Sequence, residues 1–236
     1  MKGCWVSVLA VISAAGVARA QAGAGQSTPL DLAGVYQSMP DGVTLSGGFR
    51  NSGSPGEISL TASAREQMKA VNLKDDPWKT CGPIGQFRMM ARPNTVIEIL
   101  PAGQLIMILF EDVTHGFMRK IYLNRTHEQR SMTPSDIEIP VTKLRWFGDS
   151  IGHWEKDTLV IDAVDFNDRT WLNDAGAPHS DELHTVERIR VLRNGQLLEY
   201  KMTAEDPQAL AKPYTYTRYF QKIDREFEDD NCVEQK

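Results

Sequence analysis

From residue 95 onwards, hydrophobic and polar residues alternate in short runs, and this period of two predicts β-strands. Successive side chains of such a run point to opposite faces of a sheet, so one face of each strand is available for a core. Turn-forming residues separate most of the runs, which favours antiparallel neighbours. The predicted strands are Thr95–Leu100, Gln104–Phe110, Phe117–Leu123, Ser150–Glu155, Thr158–Asp165, Leu183–Leu192, Gln196–Ala204 and Tyr214–Lys222.

This order of elements predicts an all-β, mainly antiparallel domain. An up-and-down β-barrel or a strongly curved meander of about eight strands fits best, and a β-sandwich is the alternative. One short N-terminal helix is predicted at Ser63–Val71. There Ser63 and Glu66 have the spacing of a capping box, and Met68 with Val71 forms a short apolar face.

The first twenty residues have the pattern of a secretory signal peptide. Lys2 precedes an apolar run from Cys4 to Val17, and Ala18-Arg19-Ala20 offers a small-residue cleavage site. A membrane anchor is the alternative, but the apolar run from Cys4 to Val17 is shorter than the roughly 20 apolar residues that a spanning helix needs. We therefore expect a secreted or periplasmic protein cleaved near Ala20, with residues 1–20 as the signal peptide, 21–58 as a flexible segment and 59–236 as a single β-rich domain.

Composition narrows the range of partners. Cleavage removes Lys2 and Arg19 and leaves 24 basic against 31 acidic residues, a balance that argues against nucleic acid or an anionic membrane surface as partner. A small molecule is the expected partner. The sequence contains no nucleotide-binding motif or other cofactor signature, so no cofactor is predicted.

Cys81 and Cys232 remain in the exported chain and are expected to form a disulfide, which closes a loop of about 150 residues.

The strongest hairpin signal in the chain is Asn194-Gly195. As a two-residue turn it pairs Leu192 with Leu197 and, further along, Glu187 with Met202. One face of this hairpin then carries charged side chains, and the other is apolar except at Glu187. A carboxyl group among apolar neighbours is desolvated, which favours its neutral form unless a donor compensates. Glu187 is therefore a candidate catalytic acid or base.

A second tight turn at Lys156-Asp157 places His153 and Asp162 on one face, together with Ile151 and Val160. The two polar side chains lie diagonally across the strand pair, within reach of each other. A histidine beside a carboxylate in apolar surroundings suits general acid–base catalysis. The alternatives are a satisfied structural pair or a face that points to solvent.

A polar loop with Gly and Pro follows these strands and contains further candidates. At the mouth of a barrel it would form a lid, with Trp171 as a stacking surface for an aromatic or sugar-like ligand. Structural roles are the alternative: Asp168 would cap a turn and Trp171 would fill the barrel end. The spacing of the two histidines matches no usual metal motif, so no metal is predicted. The candidates are Asn167, Asp168, Trp171 and His184 for ligand binding and His179 for proton transfer.

Arg119 and Tyr122 lie on opposite faces of the predicted strand Phe117–Leu123. At most one of them points inward, and either side chain supplies a donor for an oxyanion or a phenolate. Both are candidate substrate-binding residues.

Two segments, IGHWEKDTLVIDAVDFND at 151–168 and WLNDAGAPHSDELHTVER at 171–188, resemble a family of exported bacterial proteins with the patterns IGxWExDTLVxDxxxFND and WLxxxGxPHSxxLHxxER. The likeness extends more loosely to Cys81-Gly82-Pro83, to Arg119 with Tyr122 and to the tail around Cys232. It implies export and relatedness, without an established reaction. By motif position it highlights Trp154, Glu155, Asp162, Asn167, Asp168, His179, His184, Glu187 and Arg188.

Together these patterns predict an exported small-molecule-binding barrel that acts as a cofactor-free lyase, isomerase or hydrolase on an aromatic or apolar compound. The expected proton movers are Asp162, Glu187, His153 and His179, with Trp154 among the ligand-binding residues. The main alternative is a non-catalytic, lipocalin-like ligand carrier, in which the same polar groups orient a guest. A module for interactions in the cell envelope is a third possibility, and it would expose an apolar patch instead of a cavity.

Overall fold

The structure is a computed structural model that describes residues 32–42, 57–111, 117–127 and 145–228. The strands are β1 Gly34–Ser38, β2 Val96–Ala102, β3 Leu105–Glu111, β4 Phe117–Leu123, β5 Asp149–Glu155, β6 Thr158–Val164, β7 His184–Leu192, β8 Leu197–Glu205 and β9 Tyr214–Lys222. The helices are α1 Ala62–Ala70 and α2 Gln86–Ala91. The predicted signal peptide and Cys232 lie outside the described residues.

The nine strands form a closed barrel, which confirms the predicted all-β class. Each strand pairs antiparallel with its neighbour in sequence except at one joint, where β4 and β5 run parallel and pair over three residues, Ile121–Leu123 with Ser150–Gly152. The first and last strands close the sheet, with Tyr36 opposite Lys222.

Strand β1 lies inside the segment 21–58 that the sequence predicted to be flexible, so that prediction needs correction for Gly34–Ser38. Tyr36 and Ser38 are at most 1% exposed, and the strand hydrogen-bonds to both β2 and β9. Five residues are too few to reveal a period of two against a polar background, and the strand is stabilised by its two neighbours.

The first helix was predicted almost correctly, but its cap was not. Thr61 is the N-cap, and its side chain accepts a hydrogen bond from the Ala64 backbone N–H, whereas Ser63 lies inside the helix. The second helix, α2, was not predicted. It starts after Gly85, which has φ of +79°, and every residue of the helix is buried. A fully buried helix shows no amphipathic period, and a six-residue helix depends on tertiary packing.

The predicted registers of the β7–β8 and β5–β6 hairpins are confirmed. In the first, Leu192 pairs with Leu197 and Glu187 with Met202. In the second, His153 pairs with Val160 across the Lys156-Asp157 turn. Asn194 has φ of +52° and Gly195 of +88°, the left-handed conformations that an Asn-Gly turn supplies at low cost. The apolar faces of the strands pack with α2 into one core, in which Ile99, Phe110 and Phe220 are fully buried.

In the described part of the chain, no helix is long and apolar enough to cross a membrane.

Candidate functional site

Inside the barrel, Arg119 and Glu187 form a buried ion pair. Arg119 Nη1 donates to Glu187 Oε2 and Nη2 to Oε1, both at 2.7 Å, and the residues are 2% and 0% exposed. Arg119 also donates to Ser150 Oγ. Gln86 and Tyr200 add further donors to the Glu187 carboxylate, each at 2.9 Å. The prediction that Glu187 points inward is correct, and Arg119 is the member of the Arg119–Tyr122 pair that faces inward.

The donors around Glu187 compensate its desolvation, which the sequence alone left open. Thr185 Oγ1 adds a longer hydrogen bond at 3.5 Å, and a carboxylate that accepts two charged and three neutral hydrogen bonds is satisfied inside an apolar core. Burial, followed by the negative charge of Glu187, raises the pKa of Tyr200 well above its ordinary value, so the phenol remains a neutral donor. This interior network thus has the composition of a structural anchor.

The second predicted pair, His153 and Asp162, faces outward. The core side of β5 and β6 carries Leu159, Ile161 and Ala163, which are all 0% exposed. The His153 side chain is 62% exposed and contacts Glu155 Oε1 at 3.3 Å. The prediction that His153 and Asp162 share a face is confirmed, but that face points away from the barrel interior, which was the alternative. The predicted contact between the two is wrong, because His153 contacts Glu155 instead.

Asp162 instead joins a chain of hydrogen bonds on the outer surface, here called the His–Asp chain: Asp149, His127, Asp162 and His184. His127 Nδ1 contacts Asp149 Oδ2 and its Nε2 contacts Asp162 Oδ1, both at 2.9 Å. His184 Nε2 lies 3.0 Å from Asp162 Oδ2. Both ring nitrogens of His127 thus face carboxylate oxygens, and the ring links the two aspartates.

The chain lowers the pKa of both carboxyl groups. Burial alone would raise the pKa of Asp162, but the hydrogen bonds from His184 and His127 outweigh burial and lower it. Burial would likewise raise the pKa of Asp149, but His127, Arg125 and Arg145 together outweigh burial and lower it. The two carboxylates are thus stabilised in their ionised form, which suits ion pairing better than proton donation.

A cleft opens beside the joint between β4 and β5. Because β5 begins at Asp149 and pairs only with the end of β4, no strand among the described residues pairs with Phe117–Lys120 on that side. The described residues line an open cavity of about 720 Å³ there. Its lining is aromatic and cationic: Phe117, Tyr122, Trp146 and Phe147, with Arg119, Lys120, Arg125 and Arg145.

Aromatic contacts build one wall of this cleft. The ring of Phe147 stacks on Phe110 of the core at 5.6 Å, with an angle of 5° between the planes. Its centroid lies 6.1 Å from that of Phe117. The guanidinium carbon of Arg125 lies 4.0 Å from the centroid of Tyr122, the outward-facing partner of the predicted Arg119–Tyr122 pair. The wall is anchored in the core and is therefore preformed.

His179 and Asn167 do not line the cleft. They lie beside a second cavity of about 480 Å³. His179 is buried, its Nε2 lies 2.7 Å from Thr170 Oγ1 and its Nδ1 lies 3.0 Å from the Ser180 carbonyl oxygen. Burial lowers the pKa of His179, which favours the neutral ring. Asn167 Oδ1 accepts the Arg169 N–H and shapes the turn. Both have local structural partners.

The remaining candidates are spread over the surface and the core. Asp168 is exposed and lines the same cavity as His179 and Asn167. Trp154 is half-buried and packs against the core. Trp171 pairs with Pro178 in an isolated bridge and lies 5.8 Å from the guanidinium of Arg88. His184 belongs to the His–Asp chain, apart from His179. The predicted proton movers Asp162, Glu187, His153 and His179 thus do not converge on one cavity.

The sequence predicted Asp162 and His184 of the His–Asp chain, and Arg119 and Tyr122 of the cleft lining. It did not predict His127, Asp149, Arg125 or Arg145 as site residues. For Asp149 a signal was present, since a period of two places it on the same face as Ile151, which pairs with Asp162.

No family model matches the chain, and no curated protein matches it. Among solved structures, the chain is similar to the REP1-NXSQ fatty acid transporter, with 12% identity, a TM-score of 0.38 and coverage of 83% of this chain and 98% of that one. Secretory abundant heat soluble protein 4 from Ramazzottius varieornatus has 10% identity and a TM-score of 0.39, with coverage of 85% of this chain and 100% of that one. A mutant of the fluorescent protein UnaG has 12% identity and a TM-score of 0.30, with coverage of 56% of this chain and 73% of that one. At these values the fold assignment rests on the strand pairing of this chain.

Proposed function

We propose that this chain is an exported β-barrel protein that binds a small aromatic or otherwise apolar molecule and carries it without transforming it. The observation that supports this most strongly is the cleft beside β4 and β5. Its volume of about 720 Å³ suits a drug-sized ligand. Its aromatic wall is braced by the core, so little ordering is needed on binding.

The choice of a carrier over an enzyme depends on the placement of the ionisable groups. Glu187 is paired with Arg119 inside the barrel, and Asp162 is paired with His127 and His184 outside it. A general acid and a general base that act together must each reach the proton that it transfers on the same bound substrate. Side chains on opposite faces of the barrel wall do not meet that requirement.

Binding of the neutral fluorophore N-phenyl-1-naphthylamine tests the site. Met118, which lines the cleft, and Leu73, which lies outside it, are 45% and 51% exposed, so they form a matched pair of exposed apolar residues. We expect Met118→Ser to weaken binding roughly tenfold, equivalent to about 1.4 kcal/mol, and Leu73→Ser to leave it unchanged. Absence of saturable binding, or equal effects of the two substitutions, would refute the proposed site.

A second candidate function, a cofactor-free hydrolase, is favoured by one observation. Asp162 orients the Nε2 side of His184, whose side chain is 39% exposed, and a carboxylate-oriented imidazole is a common general base. Turnover of 1-naphthyl acetate that is lost in Asp162→Asn and in His184→Gln, but retained in the surface control His153→Gln, would support this candidate over the carrier.

Export and the Cys81–Cys232 disulfide remain part of the proposal and have simple tests. Expression in a Gram-negative host, followed by mass spectrometry of the periplasmic fraction, should give a chain that begins at Gln21 and lacks two thiol hydrogens. A cytoplasmic chain that retains residues 1–20, or two free thiols in the mature protein, would contradict these expectations.

A further inference from the structure

The cleft carries more positive charge than its carboxylate balances. Arg125 and Arg145 both bind one oxygen of Asp149, with Arg145 Nη1 at 3.0 Å from Oδ1. The other oxygen of Asp149 is occupied by His127. Among the described residues, Asp149 is the only carboxylate that either arginine contacts, so two guanidinium groups share a single negative charge.

The third arginine in the lining does not change this balance. Arg119 is neutralised by Glu187 in the interior network. Lys120, which is exposed on β4, adds another positive charge to the rim of the cleft. The described lining of the cleft is therefore cationic, although the whole chain is acidic, with a formal net charge of −5.

Arg125 has unused hydrogen-bonding capacity. A guanidinium group carries five N–H donors, and the structure gives Arg125 one side-chain hydrogen bond, to Asp149. Its Nε is buried and has no hydrogen-bond partner in the structure, and an unsatisfied buried donor is costly. Stacking on Tyr122 fixes the plane of the group. The Arg125 side chain is 20% exposed, so a second acceptor beside Arg125 and Arg145 reaches its remaining Nη–H donors and not the buried Nε.

We propose that the cleft selects an anionic ligand, an aromatic carboxylate whose charged group binds at Arg125 and Arg145 while its ring lies against Phe117 and Phe147. This inference rests on the proposed function, because it assigns a ligand class to the same cleft. The pairing of a planar carboxylate with guanidinium donors is directional. The neighbouring aromatic wall gives the uncharged part of the ligand an apolar contact surface.

The test compares two competitors of nearly equal shape, 1-naphthoate and 1-naphthamide, which differ in charge. Each displaces N-phenyl-1-naphthylamine from the wild-type protein and from the variants. For the wild type, we expect the carboxylate to compete at a roughly tenfold lower concentration than the amide, as a charge-assisted hydrogen bond allows. In Arg145→Gln the two competitors should become equivalent, and Arg145→Lys should restore part of the preference.

Arg188→Gln is the matched control, since Arg188 pairs with Glu155 on the surface and does not line the cleft. It should keep the wild-type preference. Equal competition by both compounds in the wild type, or an unchanged preference in Arg145→Gln, would overturn the anion site and leave the proposed function intact. Loss of all binding of the neutral fluorophore in the wild type would instead refute the proposed function itself.

Discussion

Arg119 and Glu187 join β4 to β7 across the barrel interior through two hydrogen bonds of 2.7 Å. The strands that carry them are not neighbours in the sheet, so this ion pair ties together opposite sides of the β4–β5 joint, where the backbone pairing covers only three residues of each strand. The pair thus stabilises the part of the wall that borders the cleft.

Removing one member of this pair should be far more costly than removing both. We expect Arg119→Met to lower the free energy of unfolding by about 3–5 kcal/mol, because Glu187 is left as a buried charge. The double variant Arg119→Met/Glu187→Leu should recover much of this loss. Urea denaturation checks both values, with Arg188→Gln, which breaks an exposed ion pair, as a control that should change the free energy of unfolding very little. A small effect of Arg119→Met would contradict the buried pair.

Acid should weaken the protein through Asp149. Burial alone would raise its pKa in the folded state, but His127 and the two neighbouring arginines outweigh burial and lower it. A carboxyl group with a depressed folded pKa stabilises the fold above its unfolded value, 3.8, and this contribution is lost as the pH falls through the folded pKa. The unfolding free energy measured between pH 6 and pH 2.5 should therefore fall less steeply in Asp149→Asn than in the wild type. Parallel curves would contradict the ion cluster.

His179 should make the free energy of unfolding depend on pH in a higher range than Asp149 does. Burial lowers its pKa below the ordinary value of 6.5, so the unfolded chain binds the proton first. Stability is then complete above pH 6.5 and decreases as the pH falls below that value, by at most about 1.4 kcal/mol per pH unit for one proton. His179→Gln should remove this dependence between pH 7.5 and 5.5, as measured by urea denaturation. A wild-type curve identical in slope to that of the variant would show that His179 titrates normally.

The register of the last hairpin could be predicted because local chemistry decides it. Asn194 and Gly195 both have positive φ, and few other residue pairs adopt such a turn without strain. Once Leu192 and Leu197 are paired, the period of two places Glu187 on the core face without any tertiary information.

The face of the β5–β6 hairpin could not be decided in this way. Both of its faces carry apolar residues: Ile151 and Val160 share the outer one, and Leu159 and Ile161 the inner one. Periodicity does not choose between two such faces. The choice depends on β4 and β7, which place Ile121 and Glu187 beside the inner face.

Several residues of the cleft and the His–Asp chain also escaped prediction, for a topological reason. The missed residues come from the loop after β4 and from the start of β5 with the residues just before it, and a parallel joint brings these together without a local turn. His127, next to Asp149 and Asp162 in space, is 22 and 35 residues away from them in sequence. Contacts of this kind follow from the closed barrel and leave no local pattern.

Gly152 should be sensitive to substitution because it lies at the parallel joint. A Cβ atom there would approach Ile121 Cγ2 to 2.9 Å and Leu123 Cδ2 to 3.1 Å, and would push β4 away from β5. We expect Gly152→Ala to cost about 1–3 kcal/mol of unfolding free energy and to weaken binding of N-phenyl-1-naphthylamine.

A suitable control for this substitution is Gly103→Ala, in the turn between β2 and β3. A Cβ atom at Gly103 meets nothing within 4 Å, and the residue has φ of +63°. Its cost should therefore arise from backbone strain, about 1–2 kcal/mol, with unchanged binding. If Gly152→Ala leaves both stability and binding unaltered, the tight β4–β5 contact is wrong.

The central claim is that the cleft between β4 and the start of β5 binds the ligand. Its most direct test is a crystal structure of the protein with 6-bromo-2-naphthoate, in which the anomalous signal of bromine locates the compound. We expect one strong peak beside Phe117 and Phe147, with the carboxylate directed to Arg145. A peak inside another cavity, or an empty cleft at saturating concentration, would contradict the account.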